Sequence, residues 1–238
     1  MKDFLPGREG HVGGTASDNR QFVEAVLYRY RAGIPWRDLP ERFGDFRVVH
    51  TRFSRWNRSG VWKKVFEELA LDADNEYGMI DATIVRAHQR ARRCAQKNGD
   101  QAIGRSRGGL STKIHAICDA LGNPTGFHLT VGQAHDSDGA DVLLENINSQ
   151  TLLADKAYDA DERVRQKLKS LACNPVIPSK ANRVKSYPYD KHLYQARHLI
   201  ENFFAKLKQF RAIATRYDKT ARNLLGAIHL AASIIWLN

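Results

Sequence analysis

The sequence predicts a mixed α/β sheet with helices on its faces, preceded by a small all-helical domain. Three observations carry this. Apolar residues recur at helical spacing through residues 18–72, interrupted by glycines and a proline. Near residue 77 the pattern changes to runs rich in strand formers. From there the order is three strands in a row, then helix and strand in alternation, then two helices, which suits a mixed sheet covered by helices.

Residues 6–20 are glycine-rich and polar and read as a loop. Asp18 stands where an N-cap would, ahead of Phe22, Val23, Val26, Leu27 and Tyr30, and Gly33 and Pro35 end that helix. The segment WRDLPERFG follows, with Asp38 as a cap and Gly44 as a stop. Val48, Val49, Phe53 and Trp56 then recur at helical spacing over 45–58, with Arg47, Arg52, Arg55 and Arg58 interleaved. Gly60 breaks the pattern, and VWKKVFEELA adds a further amphipathic stretch. A basic helix behind a short helix and a glycine-containing turn resembles a helix-turn-helix, which makes Arg47 and Arg55 candidate DNA contacts. YGMIDATIV (77–85) reads as a strand. Residues 86–108 carry Arg86, Arg90, Arg92, Arg93, Lys97, Arg105 and Arg107 against Asp100, and read as a mobile basic loop whose Arg90, Arg92 and Arg93 suit DNA phosphate. Strands over 113–120 and 125–132 form a hairpin about Leu121-Gly122-Asn123-Pro124. A helix over 138–148, a buried strand over 151–158, a helix over 161–172 and a strand over 175–179 come next. Long helices over 190–210 and 220–236 complete the chain. This succession matches a ribonuclease-H-like fold, and it divides the chain into a helical domain at 1–75 and a sheet domain at 76–238.

Composition narrows the function. Of 238 residues, 42% are hydrophobic and 26% charged, as in a folded protein. The formal net charge is +11, which points to a polyanion, and nucleic acid is the commonest one. Residues 1–75 hold 13 basic and 11 acidic side chains, whereas 76–238 hold 24 and 15, so the later part attracts phosphate more strongly. Cys94, Cys118 and Cys173 have neither disulfide-framework nor zinc-ligand spacing. No apolar run is long enough to span a bilayer, and the N-terminus lacks a signal-peptide core, so the expected location is the cytoplasm, on the nucleoid.

Three acids sit where chemistry would want them. Asp81 lies within a predicted strand, and Asp155 ends the apolar run Leu152-Leu153-Ala154. An acid at the end of a buried strand is costly unless compensated, and a metal ion is the usual compensation. In the helix over 190–210, with Tyr194 at zero and about 100° per residue, Arg197 falls near 300°, Glu201 near 340° and Lys208 near 320°. Ile200, Phe203, Phe204, Leu207 and Phe210 form the adjacent apolar face. Phosphodiester cleavage needs an activated oxygen, a stabilised leaving oxygen and neutralised phosphate charge. Two Mg²⁺ ions about 4 Å apart supply all three, and they prefer carboxylate oxygens. His135-Asp136 with Asp138 reads as a helix cap, and Asp159 and Asp161 read as caps of the helix over 161–172.

These residues carry a resemblance. MIDAT around Asp81, LLADKAYDAD around Asp155, and Tyr194-x2-Arg197-x3-Glu201-x6-Lys208 resemble the DDE transposases of bacterial insertion sequences, in the IS4/IS5-like group. IPWRDLPERFG, RSRGGLSTKIHA, GQAHD, RHLIENFFAKLK and RAIATRYDKTARN extend it over nearly the whole chain. The resemblance implies that Asp81, Asp155 and Glu201 are both the catalytic and the metal-binding triad. It implies two Mg²⁺ ions, with Mn²⁺ as a substitute. It also implies that Tyr194, Arg197 and Lys208 support DNA phosphates. The partners it implies are double-stranded DNA, as terminal inverted repeats and target, and a second copy or more of this chain. The expected reaction is cleavage at the element's ends and strand transfer to target DNA. The alternatives are a ribonuclease-H-like nuclease without strand transfer, or a truncated DNA-binding repressor. Members of the group begin with a further helix upstream of Leu5-Pro6-Gly7, and Met1 to Phe4 look like its tail.

Overall fold

A computed structural model describes residues 4–7, 18–88, 91 and 101–238. The chain clusters into two compact units. One comprises Met1–Leu69, Ala87–Gln101 and Leu207–Asn238, the other Ala70–Arg86 and Ala102–Lys206.

The first unit is helical. Helix α1 (Asn19–Ala32) begins at Asp18, whose carboxylate accepts from the Gln21 N–H at 2.8 Å, and ends at Gly33 with φ +74°. Two 3₁₀ turns, Trp36–Asp38 and Glu41–Phe43, precede α2 (Phe46–Arg58), which Asp45 caps. Asp38 therefore lies inside a turn and caps nothing. Helix α3 (Val61–Ala70) follows. Their shared core is aromatic: Phe22 meets Trp56 edge-on at 4.9 Å, and Trp56 meets Trp62 at 5.1 Å. The helices of 18–72 do not close this core alone. The final helix, Ala221–Trp236, crosses α2 so closely that a Cβ on Gly226 would lie 1.8 Å from Asn57 Oδ1. Asp218 accepts the Tyr30 hydroxyl at 2.9 Å and faces the buried Arg29 at 3.5 Å.

The second unit holds six strands: β1 (Gly78–Ala87), β2 (Gly104–Ser106), β3 (Gly109–Cys118), β4 (Pro124–Val131), β5 (Thr151–Ala154) and β6 (Asn174–Val176). Strand β3 lies between β1 and β4 and is antiparallel to both. Strand β5 runs parallel to β1, and β6 parallel to β5. Leu152, Leu153 and Ala154 are fully buried, as expected of a parallel strand covered on both faces. The predicted strand over 151–158 is thus shorter than expected, because Asp155 caps a 3₁₀ turn over Lys156–Tyr158. The predicted loop over 86–108 contributes a hairpin, with β2 pairing the start of β3. Its residues Arg90, Arg92 and Arg93, and with them the expected mobility, lie outside the described residues.

Each face of the sheet has its own cover. Cross-strand partners share a face, so Ile80, Ile117 and Ala154 point one way. Helix α4 (Asp136–Leu143) packs there through Ala140 and Leu143. The opposite row is Asp81, Ala116 and Phe127. Phe203 packs on Phe127 at 5.8 Å and comes from the helix His198–Lys208, so that helix covers the Asp81 face. The long helix predicted over 190–210 is not continuous. A helical turn at Lys191–Tyr194 and a 3₁₀ turn at Gln195–Arg197 precede His198–Lys208. The 3₁₀ turn advances about 120° per residue, which moves Arg197 to about 0°, Glu201 to about 40° and Lys208 to about 20°, so the four side chains still share one arc.

Candidate active site

Register explains why two of the acids meet. Ile80 pairs with Ala154 across the parallel β1 and β5, so the next step along each strand brings Asp81 beside Asp155 on the same face. Asp81 is half-buried and its Oδ1 accepts from the Ala82 N–H at 2.8 Å. Asp155, just past the end of β5, accepts the Ala157 N–H at 2.8 Å. Burial pushes the Asp81 carboxyl above its usual range. The neighbouring Asp155 charge adds to that shift, while the Ala82 N–H and Arg197 oppose it.

The third acid comes from the covering helix. Glu201 is exposed in the first turn of His198–Lys208, on the sheet face to which Asp81 points. Arg197 joins the two: one guanidinium nitrogen lies 2.8 Å from Asp81 Oδ2, and the other hydrogen-bonds Glu201 Oε1. Tyr194 stands one turn earlier, half-buried, with its ring edge-on to Tyr189 at 5.5 Å. Lys208 is exposed two turns beyond Glu201 on the same helix. Asp81, Asp155, Glu201, Arg197 and Tyr194 therefore belong to one locality of the second unit. Arg47 and Arg55 are exposed on α2 in the first unit.

Other acids near this locality are already engaged. Asp136 pairs with Lys113 at 2.8 Å, while His135 caps α4 in a capping box with Asp138. Asp159 and Asp161 do not cap the next helical segment, whose N-cap Ala160 makes no side-chain bond. Asp159 is instead buried between Arg165 and Arg183, each at 2.7 Å. Sequence reading missed this cluster and the Arg197–Asp81 pair because their partners are tertiary.

The donor set suits a hard divalent cation: three carboxylates, with two already drawn to one positive charge. Among the described residues, no three His, Cys, Asp or Glu side chains are grouped to hold a metal as they stand. The Arg197 guanidinium is the cation shared by Asp81 and Glu201.

Comparison with known proteins identifies the family of the chain. A family model for transposases of the IS4/5 family matches residues 1–66, and the model of the transposase DDE domain matches residues 73–236. A protein assigned as the transposase of insertion sequence element IS6501 in Brucella ovis is 40% identical over 133 residues, covering 54% of this chain and 99% of that protein. An uncharacterised protein of Sinorhizobium fredii is 47% identical over 91 residues, covering 38% of this chain and 73% of its own. Among solved structures, the Mos1 transposase paired-end complex with left transposon end aligns at a TM-score of 0.30 with 12% identity, covering 91% of this chain and 86% of that one. The Mos1 strand transfer complex aligns at 0.31 with 14% identity, covering 87% and 82%. Likeness at that level adds nothing to the topology described above.

Proposed function

The chain belongs to the DDE transposase family, and on that premise we propose that Asp81, Asp155 and Glu201 are its catalytic, metal-holding triad. The observation that carries this reading is the shared guanidinium. Arg197 draws Asp81 and Glu201 to one point, and strand register sets Asp155 beside Asp81. Asp81, Asp155 and Glu201 would together hold two Mg²⁺ ions, with Mn²⁺ as a substitute. Bound there, the ions would activate the attacking oxygen and neutralise phosphate charge. The substrates are double-stranded DNA: the terminal inverted repeats of an insertion sequence, cut to free a 3′-hydroxyl, and the target DNA that this hydroxyl attacks. Tyr194, Arg197 and Lys208 hold phosphates beside the scissile bond, and Arg90, Arg92 and Arg93 track the backbone. Arg47 and Arg55 on α2 read the repeat. Recognition thus belongs to residues 1–75 and chemistry to 76–238. Two ends must be held at once, so the working form is a dimer or larger assembly on DNA.

Cleavage of end-bearing duplexes by purified variants tests the triad. Asp81→Asn, Asp155→Asn and Glu201→Gln should each abolish cutting in Mg²⁺ while duplex affinity stays within a few-fold, because affinity comes from cations. A variant that keeps near wild-type turnover removes its residue from the triad.

A further inference from the structure

We propose that Arg197 holds Asp81 and Glu201 until a divalent cation takes them, and that the released guanidinium then binds DNA phosphate, so that metal and DNA bind cooperatively. This rests on the reading of Asp81, Asp155 and Glu201 as the metal-holding triad.

The argument begins with the shape of arginine. Its planar fork usually grips one carboxylate or one phosphate with two parallel N–H groups. Here the fork is split between Asp81 Oδ2 at 2.8 Å and Glu201 Oε1. Those are oxygens that a divalent cation would need. Two positive charges cannot share them at contact distance without repulsion, so guanidinium and metal compete for the same ligands. Asp155 stands outside the fork, its Oδ1 taken by the Ala157 N–H.

The displaced arginine cannot be left alone. Its side chain is only 18% exposed, and a part-buried guanidinium without a partner is costly. The neighbours do not balance its charge: the Tyr194 hydroxyl beside it is uncharged, Asp155 goes to the metal on this reading, and Asp136 is held by Lys113. A phosphodiester is an anion whose two oxygens match the intact fork. Metal entry therefore improves the site for DNA. By reciprocity DNA improves it for metal, and the coupling passes through one side chain. A chain without metal keeps its arginine spent on its own acids and does not hold a phosphate in the cutting position.

The sign of one measurement separates this from a purely structural role. If Arg197 merely braces the carboxylates, removing it weakens metal binding. If it competes, removing it strengthens metal binding. Mn²⁺ binding to the purified full-length chain without DNA is read from loss of the free-ion electron paramagnetic resonance signal. Arg197→Ala should lower the Mn²⁺ dissociation constant about fivefold or more. Arg197→Lys keeps the charge but cannot span both acids, and should fall between. In parallel, affinity for a random-sequence duplex is measured at fixed ionic strength. Mn²⁺ should tighten wild type about fivefold relative to Arg197→Ala, which experiences the same screening. Mn²⁺ affinity unchanged or weakened in both Arg197 variants overturns the proposal, as does equal metal dependence of duplex binding in wild type and Arg197→Ala. Asp155→Asn keeps the two failures apart. If it binds Mn²⁺ like wild type, the triad reading itself fails. If it binds weakly while Arg197→Ala does not tighten, only the handover fails.

Discussion

At the scale of single residues, the acids divide by what surrounds them. Asp81 is half-buried and pairs with one cation, whereas Asp159 is fully enclosed and pairs with two. The Asp159 carboxylate accepts from Arg165 Nε and Arg183 Nε, each at 2.7 Å, and from the Lys180 N–H at 2.9 Å. Burial raises the pKa of such a group. Here the bonds from Arg183, Lys180 and Arg165 outweigh it and hold the carboxyl down at about 2. A depressed folded pKa gives stability that is present above the unfolded value, near 3.9, and is lost as pH falls towards about 2. Asp159→Asn should therefore destabilise the protein by about 2 kcal/mol at pH 6, and the gap to wild type should close between about pH 4 and 2. Urea melts at several pH values measure it, and a gap independent of pH would show that the charge is not what matters. The sequence made Asp155 legible, because an acid behind an apolar run signals a strand end. It made Asp159 look like a cap. The arginines that claim Asp159 lie 6 and 24 residues on, and nothing local announces them.

At the scale of elements, periodicity found the pieces and tertiary packing fixed their ends. The hairpin of β3 and β4 and the first three helices fall within a few residues of where spacing puts them, since caps and glycines mark their limits locally. The helix over 190–210 was legible as an apolar stripe. Its break was not, because a 3₁₀ turn at Gln195–Arg197 needs no breaker residue. The turn adds only about 60° and leaves Tyr194, Arg197, Glu201 and Lys208 on one side, so the signature's spacing carried its geometry while the break itself stayed hidden. Helix α4 shows the same limit. Gly139 looks like a poor helix residue, yet a Cβ there would lie 2.1 Å from Nδ1 of the buried His115, whose other ring nitrogen meets Thr130 at 2.8 Å. Gly139→Ala would gain up to about 1 kcal/mol of helix propensity and lose about 1–3 kcal/mol to overpacking. A net loss of stability in urea is the expected outcome. A net gain would mean that α4 does not press on His115.

At the scale of the whole molecule, a net charge of +11 attracts DNA of any sequence alike, so specificity must come from a small face. On α2, Arg47, Thr51 and Arg55 are exposed along one side. Arg52 instead lies over the Phe22 and Trp56 rings, and Asn57 is buried against Asn223. Asn57 is therefore not placed to meet base edges. Deleting residues 1–75 is a poor test of recognition, because α2 supplies the surface on which Ala221–Trp236 packs, and the loss would expose that helix. Point variants avoid this. If Arg47 and Arg55 meet base edges, replacing both by Ala should lower the affinity ratio of terminal-repeat to random duplex about tenfold or more, since each specific contact discriminates by about 1–3 kcal/mol. Lys208→Ala removes a charge that can hold backbone but cannot read bases. It should slow cleavage of every substrate, reduce the salt slope of binding by about one, and leave the ratio unchanged. Both ratios are measured by titration at one fixed salt concentration. An unchanged ratio in the double variant, or a collapsed one in Lys208→Ala, would place sequence reading on the catalytic side of the chain.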